Sequence, residues 1–180
     1  MRTWRFVTLL LTALTMSMAF AHLLEMPAKR GYGAFVYVTV QQSLYQMFGT
    51  VGAALEVGAV LSSIGLVFLV HGRRPAFLLT VTAAVLVLAA HLAFWVLIAP
   101  VNAQMSTWTP AGVPSAWTVL RDRWEFTHAA RALLMLSAFA ALVMSVLVET
   151  PGRSDQAAAR EPEAAPLRTR IALRGRDLTG

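Results

Sequence analysis

Five ionisable side chains stand inside otherwise apolar runs of this sequence: His22, Glu56, His91, His128 and Arg131. Carrying such a group into hydrocarbon costs free energy, and in helix bundles these groups face inward and pair, so each is a candidate for function. Histidine exchanges a proton near neutral pH and can act as a base, while arginine and asparagine can steady a developing oxyanion. Asn102 and Trp124 join the candidates because they flank this chemistry in the stretch from Pro100 to Arg131, PVNAQMSTWTPAGVPSAWTVLRDRWEFTHAAR, the one long polar connection in the chain. That stretch carries Trp108, Trp117 and Trp124, and a run Arg121, Asp122, Arg123, Glu125 that leads directly into His128 and Arg131.

The segments that must hold these residues are membrane helices. Of 180 residues 57% are hydrophobic and only 13% charged, and several apolar runs reach the roughly 20 residues a helix needs to cross a bilayer. The fold class expected is all-α, a four-helix bundle integral to the membrane, with spans at about 6–24, 51–70, 76–99 and 126–148 forming one domain over residues 1–150. Residues 151–180, rich in Arg, Ala and Pro, cannot bury a core and are expected to be a disordered tail able to touch anionic headgroups. The absence of cysteine excludes disulfides, thiolate metal sites and CxxC redox chemistry. The net charge of +6 lies mostly in short flanks and the tail, which points to orientation and lipid contact rather than to nucleic acid.

The first run begins with Arg2 and Arg5 and contains Ala19-Phe20-Ala21, a pattern that a cleaved secretory leader would share. Thr8, Thr12, Thr15, Ala19 and His22 nevertheless recur at steps of four and three, one helical face of small and polar residues suited to packing, so the run is read as the first span. Glu25, Pro27, Lys29, Arg30, Gly31 and Gly33 read as a turn, followed by an interfacial helix with its tyrosines at the headgroup level. In the second span Gly52, Glu56, Ala59 and Ser63 share a face, so a neighbouring helix can approach the carboxylate closely, and the Gly and Ala faces permit a homo-oligomer. His91 has Trp95 one turn along on the same face, and Trp124, His128, Arg131 and Met135 share a face of the fourth span.

Arginines at 2, 5, 73 and 74 and in the tail put both termini in the cytoplasm, in a multi-pass protein of the cell membrane. His22 then lies near the outer end of its span, Glu56 about 8 Å and His91 about 12 Å below theirs, and His128 and Arg131 within about 8 Å of theirs, at the helical rise of about 1.5 Å per residue. Every ionisable residue within the spans is therefore in the outer half, which predicts one cluster opening toward the outer loops. A structural reading competes: histidines at helix ends sit in the interface, Glu56 pairs with Arg131 only to hold the bundle, and the tryptophans form an interfacial belt.

Pro100-Val101-Asn102, Trp108, Trp117 and Arg121-x-Arg123-Trp124-Glu125-x-x-His128-x-x-Arg131 resemble the signature of the anthrone oxygenase family, small four-helix membrane proteins, and the upstream AHLLEMPAK and VQQSLY resemble its uncharacterised bacterial members. The resemblance covers about residues 21–148. It implies an oxidoreductase that uses molecular oxygen on an anthrone-like, flat phenolic or other lipophilic substrate, with Asn102, Trp124, His128 and Arg131 as site residues. Such chemistry needs a base, for which His128 is suited, donors such as Arg131 and Asn102 for the enolate oxygen, and aromatic rings to stack on the substrate. No metal or flavin cofactor is required. The expected partners are membrane lipids and a lipophilic small molecule. Two other classes stay open: a haem or metal redox protein using His22 and His91 as axial ligands, and a noncatalytic protein that binds a lipophilic ligand or a partner.

Overall fold

The computed structural model describes residues 1–150. The compact unit is Met1–Leu147 and holds six helices: α1 (Arg2–Arg30), α2 (Ala34–Leu44), α3 (Gln46–Val70), α4 (Arg74–Ala93), α5 (Ala99–Met105) and α6 (Trp117–Leu147). A π-helical segment, Phe94–Ile98, joins α4 to α5 without a break, so Arg74–Met105 runs as one rod. Residues 148–150 form a turn that belongs with the tail, and the tail itself lies outside the described residues.

Among the described residues four helices are long and apolar enough to cross a membrane: Arg2–Arg30, Gln46–Val70, Arg74–Met105 and Trp117–Leu147. They form the all-α four-helix bundle, and the chain is a multi-pass membrane protein. The rods pack in chain order around a square, α1 on α3, α3 on α4, α4 on α6 and α6 back on α1. Bulky apolar side chains such as Leu61, Phe68, Leu78, Val85, Trp95 and Leu133 are exposed on the outside, where a soluble protein would place charge. The core between the rods is made of Ala59, Leu66, Ala83, Val87, Ala90, Met135, Ala138 and Leu142. Its many small residues let the helix axes approach, which is how helices associate when lipid offers no hydrophobic gradient. The predicted small and polar face of α1 is the buried one: Thr8, Thr12, Thr15, Ala19 and His22. On α3, Trp4 of α1 lies over Gly65 and its indole N–H donates to the Ser62 carbonyl at 2.9 Å.

The helices run past the boundaries drawn from hydropathy. Glu25–Arg30, read as a turn, is the last part of α1; only residues 31–33 turn, and Pro27 sits inside the helix. The helix persists because Lys29 on its last turn is only 2% exposed and lies 3.3 Å from Glu125 of α6, a pairing that holds the helix end against the bundle. The polar stretch from Pro100 is likewise not one long loop. Pro100–Met105 is helical, α6 starts at Trp117 rather than Phe126, and the connection shrinks to residues 106–116. Pro100 has no N–H to give the carbonyl one turn before it; that carbonyl, Val96 O, faces the Arg123 guanidinium at 3.5 Å, and the π-helical widening next to it fits a helix disturbed at proline. Trp108, expected in an interfacial belt, is instead buried in a second apolar cluster with Tyr37, Val38, Ile98, Val101, Met105 and Trp124. α2 is held over that cluster by Gln42, which donates to the carbonyls of Met105 at 3.0 Å and Trp108 at 2.8 Å.

Candidate functional site

A cavity of about 530 Å³ opens at the end of the bundle where α1 and α5 finish and α3 and α6 begin. Its volume falls within the roughly 300–1,000 Å³ typical of small-molecule sites. His22, Glu56, Asn102, Trp124, His128 and Arg131 all line it, so six of the seven predicted residues, drawn from α1, α3, α5 and α6, meet in one place. His91 is the exception. It sits half-buried behind Glu56, its Nδ1 3.7 Å from the carboxylate, and its Nε2 accepts a hydrogen bond from the Trp95 indole at 3.1 Å.

The floor of the cavity is the ion pair. Arg131 donates from Nη2 to Glu56 Oε1 at 2.5 Å and from Nε to the Ala90 carbonyl at 2.9 Å, tying α6 to α3 and α4 at once. The guanidinium also lies 5.1 Å from the centre of the Phe94 ring, which the π-helical segment turns into the cavity wall. Both charged groups are almost fully buried, at 5% and 6% exposure. A pair so desolvated survives only with further hydrogen bonds, which the Ala90 carbonyl supplies.

Aromatic rings and imidazoles form the wall. Trp124 and His128, four residues apart on α6, lie with ring centres 3.8 Å apart. The Trp124 N–H donates to Asn102 Oδ1 at 2.8 Å, which fixes the indole against α5. His128 Nδ1 is 3.0 Å from the Trp124 carbonyl. A carbonyl can only accept, so Nδ1 carries the proton and Nε2 keeps its lone pair. The His22 ring packs edge-on to His128 at 4.6 Å and to Trp124 at 5.0 Å, and contacts Tyr45 and Phe48 as well.

Next to the cavity, behind Trp124, is a polar cluster that the sequence reading missed. The Lys29 ammonium lies 3.3 Å from Glu125, 3.6 Å from Glu25 and 4.3 Å from the centre of the Trp124 ring, a cation–π contact. Tyr37 donates to Glu125 at 3.1 Å and accepts from Gln41 at 2.8 Å, and Tyr45 donates to Glu25. Burial, followed by the charge of Glu125, pushes the Tyr37 phenol above its ordinary range; burial and the bond to Glu25 do the same for Tyr45. The signal for Lys29 was present. The face Thr8, Thr12, Thr15, Ala19, His22 continues at the next seven-residue step to position 29. Glu125 likewise stands three residues before His128, on the buried side of α6.

The arrangement offers a neutral imidazole with a free lone pair, a guanidinium and an amide within one aromatic-walled cavity of a membrane protein. It can accept a proton from an apolar aromatic ligand and stabilise an oxyanion formed on it. Among the described residues no three His, Asp or Glu side chains are grouped so as to hold a metal ion. These features define a multi-pass four-helix membrane protein with a polar, aromatic cavity at one end of the bundle. No protein-family model matches the chain, and no curated protein or solved structure matches it either.

Proposed function

We propose that this protein is an oxygenase for a flat, lipophilic substrate of the anthrone or phenol type, which enters the cavity from the bilayer, with the cavity end of the bundle facing outward. The observation that carries the reading is the convergence of His128, Arg131, Asn102 and Trp124, the residues implied by the family resemblance, on one cavity. His128 Nε2 removes the acidic ring C–H proton. Arg131 holds the resulting enolate oxygen: two of its five N–H groups are committed to Glu56 and Ala90, and the others remain for a ligand. Trp124 lines the cavity beside the substrate, and Asn102 keeps the indole in position. The enolate then gives its electrons to molecular oxygen. For a ring CH₂ oxidised to C=O, one O₂ is consumed; one oxygen atom enters the product and the other leaves as water with the two ring hydrogens.

A second reading, a noncatalytic protein binding a lipophilic ligand, draws support from the Glu56–Arg131 pair, which is well placed to hold three helices together whether or not chemistry occurs. The haem reading pairs His22 with His91, which stands behind Glu56 outside the cavity that His22 lines and whose Nε2 accepts from Trp95. Anaerobic titration with an anthrone, followed through tryptophan fluorescence, separates the first two from turnover measured after oxygen is admitted. The expected result is binding by both wild type and His128→Ala, with turnover by wild type alone. Full turnover in His128→Ala would sink the catalytic assignment.

A further inference from the structure

We infer that Glu25, His22 and His128 form a proton-transfer chain linking the cavity to the surface of the bundle. The inference rests on the reading of His128 as the cavity's base, and it starts from a difficulty that this role creates. His128 is 5% exposed and its Nδ1 is committed to the Trp124 carbonyl, so only Nε2 can take up a proton. The imidazolium so formed has cations on either side. Arg131 lies one turn along the same helix, and Lys29 is across the Trp124 ring, 4.3 Å from its centre. The cavity's own carboxylate, Glu56, is already held by Arg131. A proton gained by His128 therefore needs somewhere to go.

His22 is the neighbour that can receive it. The two imidazoles are 4.6 Å apart between ring centres, inclined at 73°, a separation that a small rotation or one intervening water closes. His22 is 6% exposed, and its Nδ1 is buried without a hydrogen-bond partner. That unsatisfied nitrogen is 3.6 Å from Glu25 Oε2. Buried polar atoms are rarely left unpaired, and a nitrogen that must alternately hold and release a proton is one reason for an exception. Glu25 then connects to the outside, because its side chain is 42% exposed whereas those of His22 and Glu56 are under a tenth exposed. Around His22, α3 and its N-cap contribute the aromatic rings of Tyr45 and Phe48, and α6 contributes Trp124 and His128. Glu25 is held by the Tyr45 hydroxyl and by Lys29, whose other carboxylate partner is Glu125 of α6.

The test follows protonation directly and does not require a substrate. Full-length protein labelled with nitrogen-15 in its four histidines is titrated by NMR in detergent, with signals assigned through single His→Gln variants. Glu25→Gln is expected to move the midpoint of the His128 transition by about half a pH unit or more, since coupled groups titrate as a unit. With His22→Gln already present, Glu25→Gln is expected to leave His128 where it was. Tyr45→Phe, which releases Glu25 from the phenol without removing its charge, gives a smaller shift, and unchanged helicity by circular dichroism reports an intact fold. An unmoved His128 in Glu25→Gln, or the same shift with His22 absent, overturns the chain. Failure of the oxygenase reading is a separate result, lack of oxygen uptake in wild type, and leaves this coupling measurable.

Discussion

Removing the Glu56 carboxylate is the sharpest perturbation of this fold, and its size follows from the contacts. In Glu56→Ala the Arg131 guanidinium loses its 2.5 Å partner and keeps the Ala90 carbonyl and the Phe94 ring. Breaking a buried pair from one side costs about 3–5 kcal/mol, because the surviving charge is left uncompensated. Both groups line an open cavity, so water reaches the orphaned guanidinium and the truncation adds little packing loss; the lower figure, about 3 kcal/mol, is expected. Arg131→Ala should cost somewhat less, about 2 kcal/mol, since the His91 ring lies 3.7 Å from the stranded carboxylate and the opened cavity admits water to it. The double variant Glu56→Gln, Arg131→Met removes both charges and should lie within about 1 kcal/mol of wild type. The assay is reversible unfolding in mixed micelles followed by helicity, with Glu56→Gln and Arg131→Met as the single legs of a double-mutant cycle; single losses of about 3 and about 2 kcal/mol against a double within about 1 kcal/mol of wild type make a coupling of about 4 kcal/mol. Single variants within about 0.5 kcal/mol of wild type, or strictly additive losses, would refute the pairing.

Three further outcomes follow from other parts of the molecule. Gly65→Val puts a side chain where a Cβ would stand 2.6 Å from Trp4 Cζ2, so the indole must leave its bond to Ser62; a loss of about 1–3 kcal/mol is expected in the same unfolding assay, with Gly33→Ala, which meets nothing within 4 Å, as the silent control. Asn102→Leu frees the Trp124 indole; because Asn102 is exposed and water can replace it, the stability change should stay below about 1 kcal/mol, while affinity for an anthrone measured by fluorescence falls about tenfold. In a spectrophotometric titration, Tyr37 and Tyr45 should stay un-ionised in the folded protein beyond the ordinary tyrosine range near pH 10. Their raised values make their stabilising contribution complete below about pH 10 and progressively lost above it, so the part of thermal stability they supply should decline on the alkaline side.

The bundle was legible because its signal is long and repeated. Four apolar runs and the four-three steps of Thr8 to His22 on α1 and Trp124 to Met135 on α6 define which faces turn inward, and depth along each helix brings His22, Glu56, His128 and Arg131 to one end. The ends of the helices were less legible, because hydropathy stops where charge begins, whereas Lys29 and Glu125 are charged and buried together. A lysine flanked by Glu25 and Arg30 reads as solvated surface; its partner is 96 residues away (125 − 29), and nothing local announces the pairing. The helical state of Asn102 was hidden for a similar reason. Pro100 reads as a break, but the π-helical turn before it and the Arg123 guanidinium facing Val96 O let the rod continue. His91 was placed with the cluster by depth alone, and depth does not say which side of Glu56 it occupies.

The central claim, that the cavity is an oxygenase site with His128 as its base, is tested most directly by following oxygen and product together. Full-length protein in mild detergent is supplied with an anthrone in oxygenated buffer, and oxygen uptake and quinone formation are recorded for wild type and His128→Gln against a protein-free blank. Wild type is expected to consume one O₂ per quinone formed, and His128→Gln to turn over at least about a hundredfold more slowly, the usual worth of a positioned base. Uptake no faster than the blank in wild type, or an unchanged rate in His128→Gln, would contradict it.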